Sequence, residues 1–211
     1  MRIPRWIQVE LLSDTTFSAG EGTPGVVDIE VEHSAEGLPI VSGKTLRGLL
    51  RDAWLSMAGA FPSLAPAARR VFGVEKDCQG ANILHLGDGQ LEETTRTTIR
   101  AALQRPNHPL SPQEVLDSLC DIRWQTAEDR MRRAPADKTL RSVRVVLKGV
   151  ALFAPLHWSI SPGVDEVRVL ALSALTTRQA GLGRHRGRGH VRLTLDGDLA
   201  FTQNLARGET P

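Results

Sequence analysis

Near the start of the chain Ile7, Val9 and Leu11 alternate with Trp6, Gln8 and Glu10, the period-two pattern of a strand with one face buried. The segment SAGEGTPG after Phe17 reads as a flexible loop. Val27, Ile29 and Val31 then alternate with Asp28 and Glu30 and predict a second strand with a polar face. From Leu46 the period changes. Leu46, Leu49, Leu50, Ala53, Trp54 and Met57 recur at helical spacing, with Ser42 as N-cap. NILHLGDGQL predicts a strand and a turn, and short helices are expected over Thr94–Leu103 and Pro112–Leu119, with a proline-bearing loop between them. Trp124 to Leu140 shows no period. Val143 to Leu156 reads as one long strand, Glu166 to Leu175 as a helix with Asp165 as a candidate cap, and His190 to Leu195 as the last strand. That order predicts a single α+β domain, a sheet with helices packed on one face.

Length and composition agree. The 211 residues, 41% apolar, are enough to bury a core. No apolar run approaches the ~20 residues that span a bilayer, and the start lacks the layout of a secretory signal, so a cytoplasmic location and no membrane partner are expected. Cys78 and Cys120 belong to no CxxC or Cys/His cluster and read as buried thiols. His33, His85 and His157 have no metal-ligand spacing. The net charge of +2 says little, but its distribution says more. Eight Lys and Arg residues fall between Arg123 and Lys148, against Glu128, Asp129 and Asp137, and no acidic residue falls between Val167 and Leu195.

Two motifs carry candidate chemistry. On the first helix Lys44, Arg47 and Arg51 form one stripe away from the leucines, with Gly48 beside it. A glycine inside a helix costs roughly 1 kcal/mol relative to alanine, which indicates close approach of something to the backbone. Phosphate fits, because a helix N-terminus also offers free N–H groups. Ser42, Gly43, Lys44 and Thr45 resemble the end of a P-loop, but Leu38 stands where the required glycine should be, which argues against an ATPase. In the second motif Gly181, Gly183, Gly187 and Gly189 are interspersed with Arg184, His185, Arg186 and Arg188. Glycines let amides approach phosphate, and arginines grip it in bidentate fashion. His185 and His190 are candidates for added phosphate contacts.

GLPIVSGKTLRGLLR resembles the G-x-P-x-x-x-G-[ST]-x-[LIV]-[KR]-G-x-x-R signature of the RAMP superfamily of CRISPR proteins, and GLGRHRGRG resembles its C-terminal glycine-rich loop. VFGVEKDCQGANILHLGDGQL and RWQTAEDRMRRAPADKTLRSVRVVLKGVALFAPL are similar to the family's Phe-Gly segment and to its thumb hairpin with the strand that follows. The resemblance implies a ferredoxin-like (RRM-like) α+β core over 1–211, with a helical insertion at about 92–122 and a thumb at about 123–142. It implies a type III effector backbone subunit that binds a crRNA guide, meets target RNA, and assembles with other effector subunits and copies of itself. RNA contacts are expected from Ser42, Gly43, Lys44, Thr45, Arg47, Gly48 and Arg51, from Trp124 and Arg141 of the thumb, and from Gly183, Arg184, Arg186, Gly187, Arg188 and Gly189.

GVVDIEVEHSAEGLPIVSG resembles the type III backbone subunits in which an Asp promotes cleavage of target RNA, and Asp28 occupies that place. The resemblance implies that Asp28 holds Mg²⁺ or another divalent cation against the scissile phosphate. The sequence departs from the pattern at Lys44, where a small residue is usual, and at Arg47, where lysine is frequent. Tyrosine is absent, and Trp124 is the only aromatic of the thumb, so binding should lean on phosphate contacts more than on stacking. Trp6 and Trp54 read as core residues. Two alternatives stay open: a non-catalytic structural backbone subunit, and a metal-independent endoribonuclease that processes repeat RNA.

Overall fold

The chain is described from a computed structural model, which covers residues 1–73, 82–129, 131–136, 139–184 and 186–209. Cys78, His185 and Asp137 lie outside the described residues. The central sheet contains β1 (Trp6–Leu11), β2 (Leu84–Leu86), β7 (Ala151–Trp158) and β8 (Val191–Leu195) in the order β2-β7-β1-β8. Every neighbouring pair is antiparallel, and Val9 faces Leu152 on one side and Leu193 on the other. Two helices, α1 (Gly43–Met57) and α5 (Val164–Thr176), connect β1 to β2 and β7 to β8. This βαββαβ order with β1 central is a ferredoxin-like core.

The alternation in β1 places Ile7, Val9 and Leu11 under the helices. They meet Leu46 and Leu50 of α1 and Val167 and Leu170 of α5 in one continuous core, where burying each such side chain contributes about 1.5–3 kcal/mol. α2 (Ala65–Phe72) and α6 (Leu199–Arg207) pack beside α5. Trp54 joins this core, while Trp6 lies on the sheet's helix-free face, edge-on to Phe153 at 5.2 Å between ring centres. Trp6 is therefore not the core residue expected. His33, His85 and His157 are exposed.

Between β2 and β7 the chain leaves the core. α3 (Glu93–Leu103) and α4 (Pro112–Leu119) bring it to β3 (Cys120–Gln125), which pairs with β6 (Arg141–Val146) at the thumb root. Farther out, β4 (Glu128–Asp129) pairs with β5 (Ala134–Pro135). Ser111 and Glu114 cap α4 reciprocally. None of the described helices is long and apolar enough to cross a membrane.

Three expectations need correction, and one helix lies beyond them. Residues 27–31 form no strand and meet a sheet only at the isolated bridge from Ile29 to Val143 of β6, among the described residues, and Glu30, expected on a polar face, is buried against Arg144. The long strand over Val143–Leu156 is two strands in two sheets, because a turn through Gly149 (φ +89°) breaks the alternation. The α5 N-terminus is capped by Glu166, whose carboxylate accepts the Gly163 N–H at 2.9 Å, and Asp165 lies inside the helix. Finally, α6 follows the last strand. Its start was legible in principle, since Asp198 is an N-cap whose side chain accepts the Phe201 N–H.

Cys120 is buried on β3, and burial pushes its thiol up to about 12, overcoming the opposing pull of Arg144. Iodoacetamide at pH 8 is therefore expected to leave Cys120 unmodified in the folded chain and to alkylate it in urea. Equal rates in mass spectrometry would contradict that burial.

Candidate nucleic-acid interface

The glycine-rich loop has a fixed neck and an open head. Ala180 N–H donates to the Gly189 carbonyl at 2.8 Å and Leu182 N–H to the Thr16 carbonyl at 2.9 Å. Gly181 and Gly189 both have positive φ, and a Cβ would lie 2.4 Å from the Thr16 oxygen in one case and 2.1 Å from the Ala180 oxygen in the other. No side chain fits there. In the head, Arg186 N–H closes a turn on the Gly183 carbonyl at 2.8 Å. Around Gly187 the space is open.

The head faces the thumb root across a cleft of about 610 Å³. Ile29, Val143 and Leu182 supply apolar surface, with Gln125 at one side, and Arg141, Arg184, Arg186 and Arg188 converge on it from two parts of the chain. Arg141 and Arg186 also line a smaller hollow toward Thr126 and Thr139, and Arg184 a further one of about 590 Å³ beside α1. Four guanidinium groups around one trough suit a polyanion. Asp14 holds the two walls together. Its carbonyl accepts the Gly189 N–H at 2.9 Å, and its carboxylate accepts Arg123 at 2.9 and 3.1 Å and the Lys148 N–H at 3.2 Å.

Not every arginine of the basic tract faces outward. Arg123 is held by Asp14 and Asp121, which raise its pKa further, the Asp14 hydrogen bond most. Arg144 is only 3% exposed, with Nη1 2.9 Å from Asp117. Its Nε lies 2.8 Å from Glu30, at an angle that makes an ion pair without a hydrogen bond. Arg141 by contrast is exposed, as is Trp124 at 62%.

Asp28 is exposed beside this trough but does not line it. Its Oδ2 accepts the Ser142 N–H at 2.7 Å and the Ser142 O–H at 2.9 Å, while its own N–H donates to Ser142 Oγ at 2.9 Å. Those bonds, the Ser142 backbone first, hold its carboxyl below the usual aspartate range, and Arg141 adds to the effect. Trp124 stands opposite Ser142 in the β3–β6 register, so Asp28, Ser142 and Trp124 share one side of the thumb root. Among the described residues Oδ1 has no hydrogen-bond partner, and no three His, Cys, Asp or Glu side chains come together to hold a metal. Such a donor set does not make a protein cage for a cation. It fits Mg²⁺ that one carboxylate shares with RNA phosphates.

The residues of the first motif are placed differently. Asp88 accepts the Gly43 N–H at 2.9 Å and Ser42 Oγ accepts the Thr45 N–H at 3.3 Å, so a carboxylate and a hydroxyl already serve the α1 N-terminus. Ser42 Oγ and Thr45 Oγ1 are 2.9 Å apart. Gly43 is buried, and a Cβ there would lie 2.2 Å from the Leu86 carbonyl oxygen. The α1 residues along the hollow are Leu49, Asp52, Ala53 and Ser56. By helical rotation that face is roughly 160° from the stripe of Lys44, Arg47 and Arg51. The two basic motifs therefore do not meet in one cleft. Arg47 donates to the Phe72 carbonyl at 2.8 Å and closes the end of α2, while Lys44 is exposed. Gly48 points to open space, nearly opposite the core face. What the linear sequence missed was Asp14, which has no motif around it and gains its role only through residues more than a hundred positions away.

No family model and no curated protein matches the chain. Among solved structures it is similar to a chain of the type III-B Cmr-beta bound to cognate target RNA, with a TM-score of 0.67 at 10% identity over 97% of this chain and 99% of that one. It is also similar to a chain of type III-B Cmr-beta in the apo state, with a TM-score of 0.67 at 11% identity over 93% and 98% of the two chains. The likeness is one of fold, and it takes in the excursion with the core.

The two α1 glycines should respond oppositely to alanine. Gly43→Ala forces backbone apart and is expected to cost about 1–3 kcal/mol, lowering Tm by several degrees. Gly48→Ala meets nothing within 4 Å and is expected to stabilise the free chain by up to about 1 kcal/mol. Calorimetry of the two variants checks this, and destabilisation by Gly48→Ala would show an unrecognised constraint on that face.

Proposed function

We propose that this chain is a backbone subunit of a type III CRISPR effector, belongs to the RAMP superfamily, binds a crRNA guide, and cleaves paired target RNA at Asp28. The observation that carries the reading is the trough between glycine-rich loop and thumb root, where Arg141, Arg184, Arg186 and Arg188 converge. The fold that bears this trough is similar, over nearly its whole length, to a chain of a complex bound to cognate target RNA. Guide binding would rest on phosphate contacts from these arginines and from loop amides, which read no sequence and so accept any guide. Exposed Trp124 offers a stacking surface at the thumb. Copies of this chain and other effector subunits are the expected protein partners.

In this reading Asp28 acts on target RNA displaced near the thumb. The Ser142 bonds keep its carboxylate ionised and fix its direction, leaving Oδ1 for a cation or a phosphate-bound water. A divalent ion, when bound, would neutralise charge on the scissile phosphate. A non-catalytic backbone subunit is the second reading, and one observation favours it: the same bonds make Asp28 a clasp between the segment before α1 and the thumb.

Asp28→Asn in the assembled complex separates the two. It is expected to retain guide and bind target but to slow target cleavage by about 100-fold or more; unchanged cleavage would remove the catalytic role. Cutting of repeat RNA by the isolated chain in EDTA would instead favour a processing enzyme. Arg184→Ala combined with Arg186→Ala should weaken guide binding and lower the slope of log K against log salt by about 1.4. An unaltered slope would take the loop away from phosphate.

A further inference from the structure

We propose that Ser142 and Arg144 are positioning residues, which together set the register of the Asp28 segment against the thumb root. The inference rests on the proposed role of Asp28 only for its effect on cleavage. Residues 27–31 have no continuous ladder to hold them. They meet β6 at Ile29, whose N–H donates to the Ser142 carbonyl at 3.2 Å and whose carbonyl accepts the Arg144 N–H at 2.9 Å.

The apolar pattern cannot choose this alignment alone. Val27, Ile29 and Val31 repeat at period two, so a two-residue slip would present equivalent branched side chains to β6. The acidic residues between them are not equivalent. Asp28 is short and takes both the Ser142 N–H and its hydroxyl. Glu30 is longer and reaches the buried Arg144 guanidinium at 2.8 Å, which Asp117 of α4 contacts from another side at 2.9 Å. Glu30 also accepts the Thr23 hydroxyl at 3.2 Å and the Val31 N–H at 3.0 Å. A two-residue slip one way would set Val26 opposite Ser142 and the shorter Asp28 opposite Arg144; the other way would set the longer Glu30 opposite Ser142 and Glu32 opposite Arg144. Either loses the Asp28 bonds to Ser142 and parts the Glu30–Arg144 pair. Breaking such a pair is strongly unfavourable even where forming it gains little, which suits register selection better than stability. One clasp on each side of Ile29 thus fixes which acid stands at the exposed position.

Hydrogen exchange on the full chain, with guide retention and single-turnover target cleavage in the assembled complex, tests the proposal. Ser142→Ala is expected to speed exchange of the Ile29 amide about tenfold and to slow cleavage while guide is retained. Ser142→Thr, which keeps the hydroxyl, should restore both. Glu30→Leu combined with Arg144→Met removes the charges without a void and should raise exchange at the Ile29 and Arg144 amides. Native exchange at Ile29 in both Ser142→Ala and the double variant would overturn the clasp. Faster exchange with cleavage unchanged, in a complex that Asp28→Asn inactivates, would overturn the positioning role. If Asp28→Asn itself cleaves normally, the catalytic reading fails and the exchange result still decides the register.

Discussion

The trough depends on the short stretch from Asp14 to Thr16. Asp14 sits just after β1, where the chain leaves the central sheet, and its carbonyl and carboxylate reach the glycine-rich loop and the thumb root, while Thr15 pairs with Val146 and Thr16 bonds to Arg144 and Leu182. One contact closes the neck of the glycine-rich loop, another orients Arg123 at the thumb root, and a third fixes the turn between β6 and β7. The width of the cleft is therefore set by hydrogen bonds at its base. The arginines along its walls repel one another, and a polyanion would relieve that repulsion; without a rigid base the walls would splay in its absence.

Charge in the sequence and charge at the surface turn out to be different quantities. The tract from Arg123 to Lys148 looks basic because its acidic partners lie elsewhere in the chain. Asp14 neutralises Arg123, and Glu30 and Asp117 neutralise Arg144. Arg141 remains outward at the root. The loop's arginines have no such nearby carboxylates in sequence, and they are the ones that line the trough. Arg47 illustrates the same point on α1, since its guanidinium terminates a neighbouring helix.

The central fold was legible because its signals are local. A serine cap and a helical leucine pattern mark α1, alternation marks β1, and α4 carries its own cap in Ser111 and Glu114. Residues 27–31 misled for a physical reason: alternation reports that one side is apolar, and it is silent on whether the backbone has a partner strand. Likewise the run from Val143 to Leu156 alternates across a turn, so the pattern fuses two strands that belong to separate sheets. At the site, the glycine-rich loop and the segment from Arg123 to Arg141 stand out separately in the sequence, but their meeting depends on antiparallel order. The conflict at Gly43, which packs against Leu86, could not be read from its neighbours in the chain.

The contrast between the neck and the head of the glycine-rich loop bears on which substitutions the fold tolerates. At Gly181 and Gly189 a backbone oxygen stands where any Cβ would be, so replacement there disrupts the anchor itself. The head between them is tied to little else, and Gly187 has open space around it. The residues of the head can therefore change while the entry and exit of the loop stay fixed. Constraints that act through backbone oxygens leave most side chains unrestricted, so a fold of this kind can be shared over nearly the full length of two chains that are only 10% identical.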